Sequence, residues 1–232
     1  MIREISFVLP AYNEADNISS VIHSCLSVAA SITEQHEIII VDDGSTDVTR
    51  GVVEALSNQF KNVRLITHDK NYGVAAATRT GFAAARYHYV FYTDSDGQFD
   101  IRDIKMLIPF AGNFDFVVGY RNNRGDQIHR ALNTLLNNWL IRLFFNTSIH
   151  DVNCAFKLMK RDALQRLNIS SNSAFYLAEL VIRATLCGMT FYEVPVRHYP
   201  RRFGKPTGSK FLIIFKELRD LVLFRFRKGK IE

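Results

Sequence analysis

Three short apolar runs, each ending in a cluster of acidic or polar residues, constrain this chain more than any other feature. ISFVLP (Ile5 to Pro10) runs into AYNEADN, EIIIVDD (Glu37 to Asp43) into GSTD, and YVFYTD (Tyr89 to Asp94) into SDGQFD. Amphipathic stretches with helical spacing separate them, including Ile18, Val21, Ile22 and Cys25 after the first run. Apolar runs of strand length alternating with helical stretches predict βαβ units and a mostly parallel sheet. STDVTRGVVEAL is expected to form a helix capped by Ser45 or Thr46, VRLITH a further strand, and VAAATRTGFAAAR an Ala-rich helix.

The second half continues the pattern less regularly. A helix is expected near Ile101–Ile108, a strand at FDFVVGY and a long helical stretch from Ile128 to Phe145. CAFKLMK then reads as a strand, followed by helices near Ala163–Leu167 and Phe175–Cys187, a strand at Thr190–Val196 and a final amphipathic helix from Ser209 to Arg227. With 232 residues, 47% of them hydrophobic, the chain can build one substantial core. The expected division is a catalytic domain over 1–208, with a donor half at 1–120 and an acceptor half at 121–208, and a basic helix over 209–232.

In an extended strand, residues i and i+2 share a side. Asp94 and Asp96 therefore present two carboxylates together where an open α/β sheet binds ligands. The arrangement fits either a polar turn or a divalent cation, for which oxygen-only donors favour Mg²⁺ or Mn²⁺. Gln98 can add an oxygen or orient the ligands. Asp42 and Asp43 end another strand, suited to a ribose hydroxyl or base N–H or simply to starting a helix, and Gly44 permits a tight turn. Tyr12 and Glu14 end the first strand, within reach of a base or ribose.

Together PAYNE, VDDGSTD, NYG before a small-residue helix, and DSDGQ resemble the family 2 inverting glycosyltransferases. The resemblance implies a GT-A (Rossmann-like) α/β fold, with a mostly parallel central sheet flanked by helices. It also implies a nucleotide-sugar site drawing on Pro10, Tyr12, Glu14, Asp42, Asp43, Gly73 and Ser95, with metal at Asp94, Asp96 and Gln98. HDVNCAFKLMKRDAL and VPVRHYPRRFGKPTGSK further resemble the polyprenyl-phosphate (dolichyl-type) mannosyl- and glucosyltransferases, through Asp151, Phe156, Lys160 and Arg161, then Arg201, Gly204, Ser209 and Lys210. That likeness implies a GDP-mannose or UDP-glucose donor, Arg201, Arg202 and Lys210 over the leaving diphosphate, and Asp151 beside the acceptor or sugar.

Arg121, Arg124 and Arg130 form either a solvated basic loop or a cluster suited to gripping an acceptor phosphate, because guanidinium groups meet phosphate with paired hydrogen bonds. The net charge of +6 is concentrated at the end, with eleven Lys/Arg against three Asp/Glu from Arg197 onward. That bias suits an anionic partner. In FLIIFKELRDLVLFRFRKGK, apolar Phe211, Ile214, Phe215, Leu218, Leu221 and Val222 alternate with basic residues. Such a helix fits a membrane interface, the domain core, or a membrane-spanning subunit. No run approaches the roughly 18 apolar residues of a membrane span. Three scattered cysteines without CxxC spacing argue against a disulfide framework or zinc site. No nucleic-acid recognition motif is present. The sequence thus points to a cytoplasmic protein on a membrane surface. The other readings are an enzyme extending a soluble or cell-wall glycan, and a silent nucleotide-binding adaptor.

Overall fold

A computed structural model of the chain describes residues 2–121, 141–203 and 211–226. The first half runs β1 (Ile2–Ala11), α1 (Ala15–Ile32), β2 (Thr33–Asp42), α2 (Thr49–Gln59), β3 (Val63–Thr67), α3 (Val74–Ala84) and β4 (Tyr89–Thr93). Next come α4 (Ile104–Leu107), flanked by single 3₁₀ turns, then β5 (Phe116–Arg121), β6 (Phe156–Lys160), α5 (Arg161–Gln165), α6 (Tyr176–Leu186), β7 (Phe191–Val196) and α7 (Phe211–Phe226). Residues 141–145 are helical, and the rest of the predicted helix from Ile128 lies outside the described residues.

The strands form one seven-stranded sheet in the order β3-β2-β1-β4-β6-β5-β7. Neighbours are parallel except where β6 runs antiparallel between β4 and β5. Ile38, Ile39, Ile40 and Val41 are all fully buried, as expected of a parallel strand covered on both faces. The Ala-rich α3 sits very close to β1: a Cβ added at Gly81 would lie 2.3 Å from Val8 Cγ1. Its small residues, Ala75, Ala77 and Gly81, make that approach possible.

The chain winds outward from β1 to β3, then crosses back to place β4 on the other side of β1. The carboxyl ends of β1 and β4 therefore flank a topological switch point, where open α/β sheets hold their ligands. Helix α2 starts later than predicted, at Thr49, with no side-chain cap. Ser45 and Thr46 serve another purpose. Ser45 Oγ accepts from the Asn13 N–H at 2.9 Å, and the Thr46 N–H donates to Asn13 Oδ1 at 2.8 Å. These bonds join the loops after β1 and β2, and Asn13 takes a left-handed φ of 55° between them.

Candidate active site

The switch point gathers carboxylates from two strands. Asp94 follows β4 directly, and Asp96 lies two residues on, its Oδ1 accepting from the Gln98 N–H at 3.0 Å. Between them, Ser95 Oγ donates to the Pro10 carbonyl at 2.7 Å, so the ends of β4 and β1 are fastened together. Glu14, at the start of α1, is buried and accepts from Asn17 Nδ2 at 2.8 Å. Burial, with the charge of Asp96 next, raises the Asp94 pKa to about 7. Burial likewise raises that of Glu14. Gathering like charges away from water is unfavourable unless a cation accompanies them.

A cation is already present, as Arg201. Its guanidinium bonds Glu14 Oε1 and lies 3.6 Å from Asp96 Oδ2, while its Nε donates to the Phe203 carbonyl at 2.6 Å. The segment reaches the site because Tyr199 and Gln98 exchange bonds: the Tyr199 N–H donates to the Gln98 carbonyl at 2.8 Å, and Gln98 Nε2 to the Tyr199 carbonyl at 2.9 Å. Gln98 thus ties the acidic loop to the arginine segment. Arg202 is exposed.

Asp94 and Asp96 fit a divalent metal by donor type, and the raised Asp94 pKa is what an unneutralised pair should show. Among the described residues no group of three or more His, Cys, Asp or Glu could hold a metal ion. Two carboxylates suffice where substrate phosphates complete the shell.

The loops after β2 are built from the two aspartates predicted to meet the nucleotide. Asp43 is buried and accepts from the Tyr72 N–H at 3.0 Å, the Gly73 N–H at 2.7 Å and the His68 ring at 2.7 Å. Asp42 accepts from the Ser45 N–H at 3.2 Å. Asp43 thus holds the 71–73 turn, which departs from the expectation of a carboxylate presented to a ligand: the unpaired amides before α3 claim it first. Gly44 has φ +69°, and an added Cβ would fall 2.4 Å from the Lys70 carbonyl carbon, so only glycine fits. Tyr12 stands exposed beside this turn's partner loop.

Across the sheet, Arg121 ends β5 and meets Asp151 through both teeth of its fork, Nε–Oδ2 2.7 Å and Nη2–Oδ1 2.9 Å. Its charge opposes the rise of the Asp94 pKa. Arg124, Arg130, Gly204, Ser209 and Lys210 lie outside the described residues. Sequence reasoning passed over Tyr92 and Tyr176. Their hydroxyls bond each other, and that of Tyr92 also reaches Asp94 Oδ1 at 3.3 Å. Tyr92 stands two residues before Asp94 on the same side of the strand, and this was the available signal. A cleft of 410 Å³ between α3 and residues 164–169 contains none of the predicted site residues.

The family model for glycosyl transferase family 2 matches residues 6–167. The chain belongs to that family. It is a glycosyltransferase, and its sheet with flanking helices is the GT-A fold the motifs implied. Undecaprenyl-phosphate 4-deoxy-4-formamido-L-arabinose transferase from Pectobacterium carotovorum is 31% identical over 226 residues, 95% of this chain and 67% of the relative. The Klebsiella pneumoniae protein of that name is 29% identical over 224 residues, with the same coverage. Glycosyltransferase AglD of Haloferax volcanii is 29% identical over 85% of this chain and 33% of its own length. Among solved structures, glucosyl-3-phosphoglycerate synthase from Mycobacterium tuberculosis, bound to Mn²⁺, UDP and glucosyl-3-phosphoglycerate, superposes with a TM-score of 0.73. It is 21% identical, covering 96% of this chain and 80% of that one, and so speaks for the fold of this family 2 glycosyltransferase.

Proposed function

We propose that this glycosyltransferase moves a hexosyl group, mannose in preference to glucose, from GDP-mannose or UDP-glucose to a polyprenyl phosphate, inverting the anomeric carbon. The observation that carries the reading is the pairing of two unlike sites across the sheet, carboxylates at the ends of β1 and β4 and the Arg121–Asp151 fork at the end of β5. The names of the relatives, which act on undecaprenyl phosphate, support the same acceptor.

Asp94 and Asp96 would hold Mg²⁺ or Mn²⁺, which when bound supplies Lewis-acid stabilisation of the leaving diphosphate. Tyr12, Glu14 and the loops fixed by Asp42, Asp43 and Gly73 seat the nucleoside, while Pro10 and Ser95 fasten the two strand ends that carry the site. Arg201, with Arg202 and Lys210 from the adjoining segment, covers the diphosphate and receives its negative charge. Arg121 holds the acceptor phosphate, helped by Arg124 and Arg130, and Asp151 fixes the plane of the Arg121 guanidinium. An oxygen of that phosphate attacks the anomeric carbon as the bond to the diphosphate breaks, and the nucleoside diphosphate departs. A phosphate monoester has a second pKa near 6 and is already dianionic at neutral pH, so no protein base is required. Residues 1–120 thus serve the donor, and 121–208 serve the acceptor while lending Arg201 and Arg202 to the leaving diphosphate.

The acceptor's home suggests how the chain reaches it. No helix among the described residues is long and apolar enough to cross a membrane. Helix α7 is anchored by buried Leu221 and by Phe224, which packs on Phe145 and Phe175 with centroids 5.9 and 5.7 Å away. Leu143, Val222, Leu223 and Phe226 stay exposed beside Lys216, Arg219 and Arg225. Apolar side chains among cations suit the anionic cytoplasmic face of a membrane. A membrane-spanning subunit would cover the same face.

Competition between acceptors tests the reading. With one labelled donor, polyprenyl phosphate in detergent should take the label in preference to 3-phosphoglycerate or an oligosaccharide. Preference for either soluble acceptor would overturn it.

A further inference from the structure

Residues 150–152 run across the second half of the sheet, and each is tied to a different strand by a charged side chain. The His150 N–H donates to Glu193 Oε1 at 2.7 Å, and its ring Nδ1 lies 2.6 Å from Glu193 Oε2. Asp151 takes the Arg121 fork. The Val152 carbonyl accepts from Lys157 Nζ at 3.1 Å. Glu193, Arg121 and Lys157 belong to β7, β5 and β6, which are successive strands of the sheet. The three contacts follow the strand order one residue at a time. Lys157 pairs with Val118 and Val118 with Glu193, so the two outer anchors lie in one cross-strand row.

Lys157 is the informative member. It is fully buried in a strand flanked on both sides, among neighbours such as Phe156, Leu158 and Met159. Burial lowers the pKa of its ammonium, the charge of Arg121 adds to that, and those of Asp151 and Glu193 oppose it. An apolar residue of similar length would fill the space but leave the Val152 carbonyl without this donor, so it is the bond and not the packing that calls for the charge. The carbonyl it holds belongs to the residue after Asp151, and a shift of about 1 Å in a positioned group can cost on the order of a hundredfold in rate.

We infer that Lys157 is a positioning residue for the acceptor: with Glu193 it straps residues 150–152 to the sheet, so that Asp151 orients the Arg121 guanidinium towards the incoming phosphate. This rests on the reading of Arg121 as the acceptor-phosphate contact. It adds a buried lysine, the second residue of β6, that acts through Asp151.

The test compares the full wild-type chain with Lys157→Met and Glu193→Gln by hydrogen exchange, donor binding and acceptor kinetics. Lys157→Met should speed exchange of the amides of 150–154 roughly tenfold. It should raise the KM for polyprenyl phosphate roughly ten- to a hundredfold, leaving the metal-dependent Kd for GDP or UDP as in the wild type. Glu193→Gln should move the same two quantities in the same direction by less, and decides the matter if Lys157→Met does not fold. Wild-type exchange at 150–154 with wild-type acceptor KM in a folded variant would overturn the inference. So would faster exchange spread over the whole sheet with donor and acceptor weakened alike. A wild-type chain inactive on polyprenyl phosphate would sink the acceptor reading instead, and exchange at 150–154 would still rule on the strap.

Discussion

Arg201 stands 3.6 Å from Asp96, with the same guanidinium bonded to Glu14. The carboxylate assigned to a divalent cation is thus held by an arginine assigned to the diphosphate. If metal and nucleotide occupy the site as proposed, Asp96 would turn from Arg201 to the metal and the arginine to the diphosphate. Arg201→Gln should therefore have opposite effects on the two steps. Mn²⁺ binding to the nucleotide-free chain, followed by electron paramagnetic resonance, should tighten by roughly a few-fold. Turnover should fall by roughly a hundredfold or more. Weaker Mn²⁺ binding in the variant would show that Arg201 does not compete for the site.

Asp94 gives a pH signature. Its folded pKa is about 7 against an ordinary 3.8, raised first by burial, then by Asp96 and more weakly by Glu14, with Tyr92 and Arg121 opposing. Through that window the folded chain keeps a proton that the unfolded chain has released, so the metal-free protein loses stability as pH rises. The loss is complete above about 7. Asp94→Asn should stabilise the metal-free chain at pH 8 by on the order of a few kcal/mol, and by clearly less at pH 5. Thermal melts at the two pH values check this, and an equal gain at both would contradict it.

Gly44 locks the loop after β2 against Lys70, in a conformation that excludes a side chain. Gly44→Ala should cost roughly 2 kcal/mol or more, measured by urea denaturation. Nucleotide affinity should fall with it, because Asp43, next to Gly44, holds the 71–73 turn before α3. Unchanged stability would mean that the backbone relaxes without effort.

Much of this was legible because strand alternation and loop chemistry are local. The three apolar runs carry their acidic ends with them, so Asp94, Asp96 and Glu14 were visible as one strand edge before any fold was drawn. What the alternation hides is which neighbour a strand takes. Antiparallel β6 between β4 and β5 follows from long-range pairing, and only that pairing brings Lys157 under residues 150–152. Asp43 read as a ligand because nothing in VDDGSTD reveals that the turn at Tyr72 and Gly73 will claim both its oxygens. Ser45 read as a cap because its partner, Asn13, is 32 residues away.

The two faces of α7 should separate in a mutant pair. Leu221 is fully buried, so Leu221→Ala should cost about 2–5 kcal/mol. Phe226 is 82% exposed, and Phe226→Asp should leave stability within about 0.5 kcal/mol. The same change should weaken binding to phosphatidylserine-containing vesicles by roughly tenfold, read by cosedimentation. Full vesicle binding by Phe226→Asp would remove this face from the membrane contact.

The most direct test of the whole account is transfer of labelled sugar to polyprenyl phosphate. Purified chain with Mn²⁺ and the lipid in detergent receives GDP-mannose in one tube and UDP-glucose in another, with Asp96→Ala and chelator as controls. The account predicts labelled glycolipid in the organic phase from one donor, GDP-mannose by preference, abolished by the substitution and by the chelator. Metal-dependent nucleotide binding with no labelled lipid from either donor would contradict it.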